Sequence, residues 1–71
     1  MFSEVVECYS GQTYAERPLA LYWEGERFEI TEILSRWRSP GEIYFLVRIE
    51  DGRIFQLVYY DTEDVWSIEL R

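Results

Sequence analysis

Closely spaced carboxylates are the residues of this sequence with the clearest potential for chemistry. Glycosidases use such pairs as acids, bases or nucleophiles, and nucleases use them to hold metal ions. The sequence has three groups: Glu24 with Glu26, Glu50 with Asp51, and Asp61 with Glu63 and Asp64. Each group lies in or beside a turn sequence, where acids favour turn geometry and solubility. The 61–64 segment lacks the glycine and the distal glutamate of a calcium loop. We therefore interpret these acids as solvated turn residues.

Nucleophilic catalysis has little support from the composition. The chain has no histidine and one cysteine, Cys8, whose thiol would have no conventional base. Nearby Glu4 and Glu7 would raise the pKa of that thiol, which disfavours the thiolate. A lone cysteine also excludes a disulfide scaffold or a cysteine metal cluster, and no glycine-rich phosphate loop is present. We predict that the protein is not an enzyme and uses no cofactor or metal, with Cys8 a small buried hydrophobe.

Arg36, Trp37 and Arg38 form the least ordinary local feature. A tryptophan can stack on a base while flanking arginines hold phosphates, and Arg48 follows in the next predicted strand. In an extended strand, Trp37 points one way and both arginines the other. If Trp37 faces inward, Arg36 and Arg38 lie on the outer face, paired with glutamates across the sheet. The net charge of −7, from 14 acids and 7 arginines, repels nucleic acid at long range. Weak binding of single-stranded nucleic acid is therefore the alternative hypothesis, with buried Trp37 favouring a protein-interaction face.

Short runs of β-branched and aromatic residues separated by turn sequences indicate an all-β protein. The 71 residues are enough for one domain, which we assign to 1–71. We predict a small, strongly curved antiparallel meander of five or six strands, either an SH3-like barrel or a half-open barrel. An open sheet edge invites pairing, so we expect closure of the barrel or a homodimer, and the sequence does not choose between monomer and homodimer.

Hydrophobic alternation selects the register of two hairpins. Around 50–55, a three-residue loop with Gly52 in the left-handed conformation gives one wholly apolar face. That face consists of Ile43, Phe45, Val47, Phe55, Leu57 and Tyr59. In the earlier hairpin, a two-residue Glu24–Gly25 turn pairs Leu21 with Phe28 and Leu19 with Ile30.

The segment 31–38 fits two structures. Ile30, Ile33, Leu34 and Trp37 recur at helical spacing. A bulge near Thr31 and Glu32 would instead give a bent strand with Ile33, Ser35 and Trp37 on one face. We expect the bent strand, ended by the turn at 39–41.

The outer face of the predicted sheet carries apolar side chains, which marks an interaction surface unless another segment covers it. Residues of the N-terminal segment that could cover it are Phe2, Val5, Val6 and Tyr9. We predict a protein-interaction module with an unidentified protein partner. Its candidate binding residues are Tyr22, Arg36, Trp37, Arg38, Tyr44, Leu46, Arg48 and Val58. No apolar run approaches the length of a membrane span, and the acidic start at 1–7 is unlike a signal peptide, so we expect a cytoplasmic protein without membrane contact.

Several turns and aromatic positions carry a resemblance to a known family. They are Arg17–Pro18, Trp23, Gly25, Phe28, Ile30, Trp37–Arg38, Asp51–Gly52, Phe55, Leu57 and Trp66. In these residues the sequence resembles a small bacterial family of all-β proteins of unknown function, over about residues 17–70. A similar segment ends the non-catalytic Y-family-polymerase-like proteins of bacterial damage-induced mutagenesis. The resemblance implies an accessory domain that docks onto a replication or repair partner, and it offers no catalytic residues to transfer.

Overall fold

Six antiparallel strands make up the fold. The structure is a computed structural model that describes residues 6–8 and 17–71. The strands are β1 (Val6–Cys8), β2 (Pro18–Trp23), β3 (Glu26–Ser39), β4 (Glu42–Ile49), β5 (Ile54–Tyr60) and β6 (Val65–Leu70). Each strand pairs with its neighbours in sequence, so the spatial order is β1-β2-β3-β4-β5-β6. The sheet curls strongly into a half-barrel, which confirms the prediction of a small curved meander.

The β2–β3 hairpin turns through two residues with positive φ, Glu24 at 52° and Gly25 at 83°. Such turns match the right-handed twist of the strands they join. Leu21 pairs with Phe28, as the hydrophobic pattern predicts. The tight turn is therefore confirmed, although a glutamate occupies a position that favours asparagine or glycine.

The β4–β5 hairpin has the predicted three-residue loop. The Ile49 amide donates to the carbonyl of Arg53 at 3.0 Å, and the Gly52 amide donates to the carbonyl of Ile49 at 2.9 Å. Gly52 has φ 96°, which only glycine adopts easily. Val47 consequently pairs with Phe55. All six residues of the predicted apolar face are buried.

β3 is one long bent strand, so the helical alternative for 31–38 is wrong. Its pairing with β4 shifts register between Ile30 and Glu32, where a bulge was predicted, and again between Ile33 and Ser35, where none was. β2 accompanies β3 only as far as the Ala20–Glu29 pair. The predicted pair of Leu19 with Ile30 does not form, because β3 bends away there to join β4.

The second bulge reverses the faces predicted for the end of β3. Arg36 lies opposite the inward-facing Phe45, while Trp37 lies opposite Tyr44 on the outer side. Ile33 packs against the core. The expectation that Ile33 and Trp37 share a face is therefore wrong, because two bulges rather than one interrupt the alternation of side chains.

The core lies inside the curl and joins its two halves. Its buried members are Val6, Leu21, Ile43, Phe45, Val47, Ile49, Phe55, Leu57, Tyr59 and Ile68. The rings of Trp23 and Phe55 meet edge-on with centroids 5.2 Å apart, which joins β2 to β5. Val6 belongs to this core, so the expectation that it covers the outer face is wrong. Phe2, Val5 and Tyr9 lie outside the described residues. The residues that the structure describes form no helix that could cross a membrane.

Candidate functional site

An aromatic pair occupies the outer face of the half-barrel. The rings of Trp37 and Tyr44 stack with centroids 5.2 Å apart and planes 5° from parallel. Trp37 is 41% exposed although its ring is large and apolar. Val58 pairs with Tyr44 on the next strand and is itself buried. Three of the predicted binding residues thus form one continuous row across β3, β4 and β5.

Further apolar side chains extend this row into a patch. Leu46 lies two residues from Tyr44 on the same strand face. Tyr60 and Val65 pair with each other beyond Val58, and Val65 is 40% exposed. We call this set the outer patch; its residues are Trp37, Tyr44, Leu46, Val58, Tyr60 and Val65. Tyr60 and Val65 were not predicted as binding residues, although the alternation of apolar and other residues in VWSIEL indicates that Val65 and Trp66 face opposite sides of the sheet.

Charged groups border the outer patch. The Tyr44 hydroxyl donates a hydrogen bond to the Glu42 carboxylate, and this bond raises the pKa of Tyr44, helped by partial burial. Arg48 pairs with Glu32 through Nη1 and Oε1 at 2.6 Å. The predicted binding residue Arg48 is therefore engaged within the chain at the border of the patch. Because Arg48 compensates the charge of Glu32, Glu42 supplies the negative charge of this border.

Arg36 and Arg38 do not accompany Trp37. Both occupy the inner side of β3, opposite Phe45 and Ile43. The Arg36 guanidinium lies 5.7 Å from the centroid of the Phe45 ring, within cation–π distance. An exposed Trp37 with both arginines beside it was expected to favour nucleic acid. Trp37 is exposed, yet both arginines lie on the other side of the strand. Their arrangement is thus the reverse of the one predicted, with Trp37 outside and the arginines inside.

Tyr22 belongs to a separate cluster. Its hydroxyl donates to Glu7 Oε2 at 2.7 Å, and Arg27 donates to both oxygens of the same carboxylate at 3.1 and 3.0 Å. The bond from Arg27, followed by that from Tyr22, lowers the pKa of Glu7. The bond to Glu7 raises the pKa of Tyr22. Tyr22 pairs with Arg27 near the start of β3, whereas the row crosses β3 at Trp37 near its end, so Tyr22 does not join the row.

The acids of the turns are exposed, as predicted. Asp51 accepts from the backbone amide and the side chain of Arg53 at 3.0 and 2.8 Å, which lowers the pKa of Asp51. Asp64 accepts from the hydroxyl of Tyr59 at 2.9 Å. In residues 6–8 and 17–71, no three potential metal ligands cluster. Cys8 is half-buried against the core, and burial raises the pKa of its thiol.

Two clefts are lined by residues that do not belong to the outer patch. The cleft where β2 and β3 part has a volume of about 290 Å³ and runs from Arg17 to Ile33. The cleft of about 410 Å³ beside the β3–β4 turn is lined by Arg38, Gly41 and Asp61, among others.

Comparison with known proteins gives no relative from which to transfer a function. No protein-family model matches the chain, and no curated protein and no solved structure is significantly similar to it. The resemblance to the small bacterial family therefore stays a prediction.

Proposed function

We propose that the chain is a non-enzymatic protein-interaction module that binds its partner through the outer patch. The observation that carries this proposal is the exposed Trp37 ring stacked flat on Tyr44. Large aromatic side chains are the usual anchors of protein interfaces. An exposed apolar patch rimmed by charge is typical of interaction surfaces.

The stacked geometry suits an anchor. Trp37 is held by Tyr44, and Tyr44 is held in turn by its bond to Glu42. Two rings that are already ordered lose little side-chain freedom on binding, which lowers the entropic cost of association. Glu42 at the border of the patch and the net charge of −7 favour a partner with basic groups around an apolar centre. The resemblance to mutagenesis proteins suggests a replication or repair protein as the first class of partner to test.

The test requires an identified partner and matched variants. Partners would be captured by proximity cross-linking from cells, purified, and titrated calorimetrically with the isolated chain. Leu46→Ser and Trp37→Ala should weaken binding by at least about tenfold, as expected for anchor residues. Leu19→Ser is the control, since Leu19 is 42% exposed but lies on β2. Equal affinities for all variants, with folded spectra, would refute the outer patch as the binding surface.

Weak binding of single-stranded nucleic acid is the second candidate, favoured by the exposed Trp37 ring. The position of Arg36 and Arg38 on the opposite face argues against a joint stacking and phosphate site. The test is an amide-shift titration with a short single-stranded DNA at low salt. Shifts confined to 36–38 and abolished by salt would replace the first proposal with this one.

A further inference from the structure

The half of the sheet formed by β3 to β6 has two edges that no described strand pairs with, and these edges differ in kind. One is the second half of β3, which carries two bulges and the inward-facing Arg36 and Arg38. Bulges and inward charges are devices that prevent edge-to-edge pairing. The other edge is β6, and no residue of 6–8 or 17–71 pairs with its open side. The β6 sequence VWSIEL contains no proline, lysine or arginine, and its pairing with β5 shows no bulge. Within the part of the chain that the structure describes, this edge is therefore open to another strand.

The direction of the free backbone groups on β6 follows from one hydrogen bond. The Arg71 amide donates to the carbonyl of Ile54 on β5 at 2.9 Å. In an antiparallel ladder, alternate residues bond to the same neighbouring strand. Trp66, Ile68 and Leu70 therefore direct their amides and carbonyls toward the open edge. The same three side chains face the core side of the sheet, opposite Tyr59, Leu57 and Phe55.

We propose that β6 pairs antiparallel with β6 of a second copy of this chain, with Ile68 opposite Ile68. This register places Trp66 opposite Leu70 of the second copy, so the inner faces of both sheets join in one apolar row. Leu70, which is 44% exposed in the single chain, is covered by the half-buried Trp66. In each β6 strand, the backbone amides and carbonyls of Trp66, Ile68 and Leu70 bond to the other copy, which gives about six backbone hydrogen bonds.

The register also gives one favourable contact between opposite charges, made by Arg71, whose side chain bonds to Gln56 in the single chain. It sets Ser67 against Glu69 and Val65 against Arg71, and it brings Arg71 to the acidic turn at 61–64 of the other copy. A shift by two residues, with Ser67 opposite Ser67, would place Leu70 against Asp64 instead. A shift by one residue would turn the hydrogen-bonding groups of one strand away from the other. The Ile68-centred pairing alone satisfies both the apolar row and the ladder.

The first experiment measures the oligomeric state of the full chain by sedimentation equilibrium over a wide concentration range. Because each copy carries a net charge of −7, moderate salt should strengthen the dimer by screening this repulsion. Leu70→Lys should raise the dissociation constant at least about tenfold, since it places a charge against Trp66. Leu19→Lys, at a similarly exposed position on β2, should leave it unchanged. A chain that is monomeric at every concentration, or a dimer indifferent to Leu70→Lys, would overturn the proposal.

A cross-linking experiment tests the register itself. Ser67 and Glu69 of the second copy form a non-hydrogen-bonded pair, in which the Cα atoms lie about 4.5 Å apart, close enough for a disulfide. In a Cys8→Ser background, an oxidised mixture of Ser67→Cys and Glu69→Cys chains should give far more cross-linked dimer than either chain alone. Equal yields from the mixture and the single variants would refute this pairing. The pairing would also be refuted if β6 bound an extended segment of another protein and the chain did not self-associate.

Discussion

Trp37 and Tyr44 lie face to face across β3 and β4, with their ring centroids 5.2 Å apart. The stack depends on the bulge at Leu34, which turns Trp37 to the outer side and leaves Arg36 inside over Phe45. One extra residue in β3 thus determines that Trp37, and not Arg36, lies on the outer face of the sheet.

The stack should be measurable as a coupling energy. We expect Trp37→Ala and Tyr44→Ala to show a coupling of about 0.5–1.5 kcal/mol in a double-mutant cycle, the range of aromatic pairs. Urea unfolding of the two single variants and the double variant measures it. Additive effects would mean that the two rings do not support each other in solution.

The Glu7 cluster predicts a pH dependence with a defined sign. The pKa of Glu7 is lowered in the folded state, so its stabilising contribution is present above its unfolded pKa and is lost as the pH falls through the folded value. The pKa of Tyr22 is raised, so its contribution is present below about 10 and is lost as the pH rises through its folded value. Glu7→Gln should weaken both dependences, as followed by unfolding at a series of pH values. The pKa of Asp51 is lowered as well. Asp51→Asn is therefore the control, because it should weaken the acid-side dependence and leave the alkaline limb unchanged. An unchanged alkaline limb in Glu7→Gln would contradict the assigned role of the Tyr22 bond.

Arg53 should stabilise the fold through packing. Its guanidinium lies 5.0 Å from the Phe28 ring centroid and 5.6 Å from that of Phe55, so it joins β3 to β5. We expect Arg53→Ala to lower the free energy of unfolding by about 1–2 kcal/mol, mainly through lost cation–π and stem contacts and to a smaller extent through the lost exposed ion pair with Asp51. Arg38→Ala, an exposed position, should change it by less than about 0.5 kcal/mol. Thermal or urea unfolding distinguishes the two, and equal effects would refute the packing role.

A substitution in the β2–β3 turn should stabilise the protein. Glu24 adopts φ 52°, which costs energy for most residues other than glycine, asparagine and aspartate. Glu24→Asn would create the Asn-Gly pair that such turns favour, and it should stabilise the protein by a few tenths to about 1 kcal/mol. Glu26→Asn, on the adjoining strand, is the control and should be neutral or destabilising. A higher urea midpoint for Glu24→Asn alone is the expected result.

The two hairpin registers were predictable because each rests on local information. A glycine marks each turn, and a slip by one residue would exchange buried and exposed faces along the whole strand. Gly52 with its three-residue loop, and Leu21 opposite Phe28, follow from these two signals. The bend of β3 near Thr31 was also foreseen, because hydrophobic alternation breaks there.

The bulge at Leu34 was not predictable from its neighbourhood. Leu34 is neither a glycine nor a proline, and nothing local separates it from an ordinary strand residue. The bulge is set by distant packing, because Ile33 must stay against Val47 while β3 continues along the curled sheet. The faces of Arg36 and Trp37 depend on that single position. The predicted faces of these two residues were therefore the reverse of those in the structure.

The strand order has a consequence for how the chain folds. Each strand pairs only with strands next to it in sequence, and β1 and β6 need not find one another to complete the sheet. Each step therefore closes only a short loop, and the cost in chain entropy rises slowly with loop length. Proteins dominated by such near-neighbour contacts reach the native state faster than barrels whose first and last strands must meet. The half-barrel can thus assemble hairpin by hairpin.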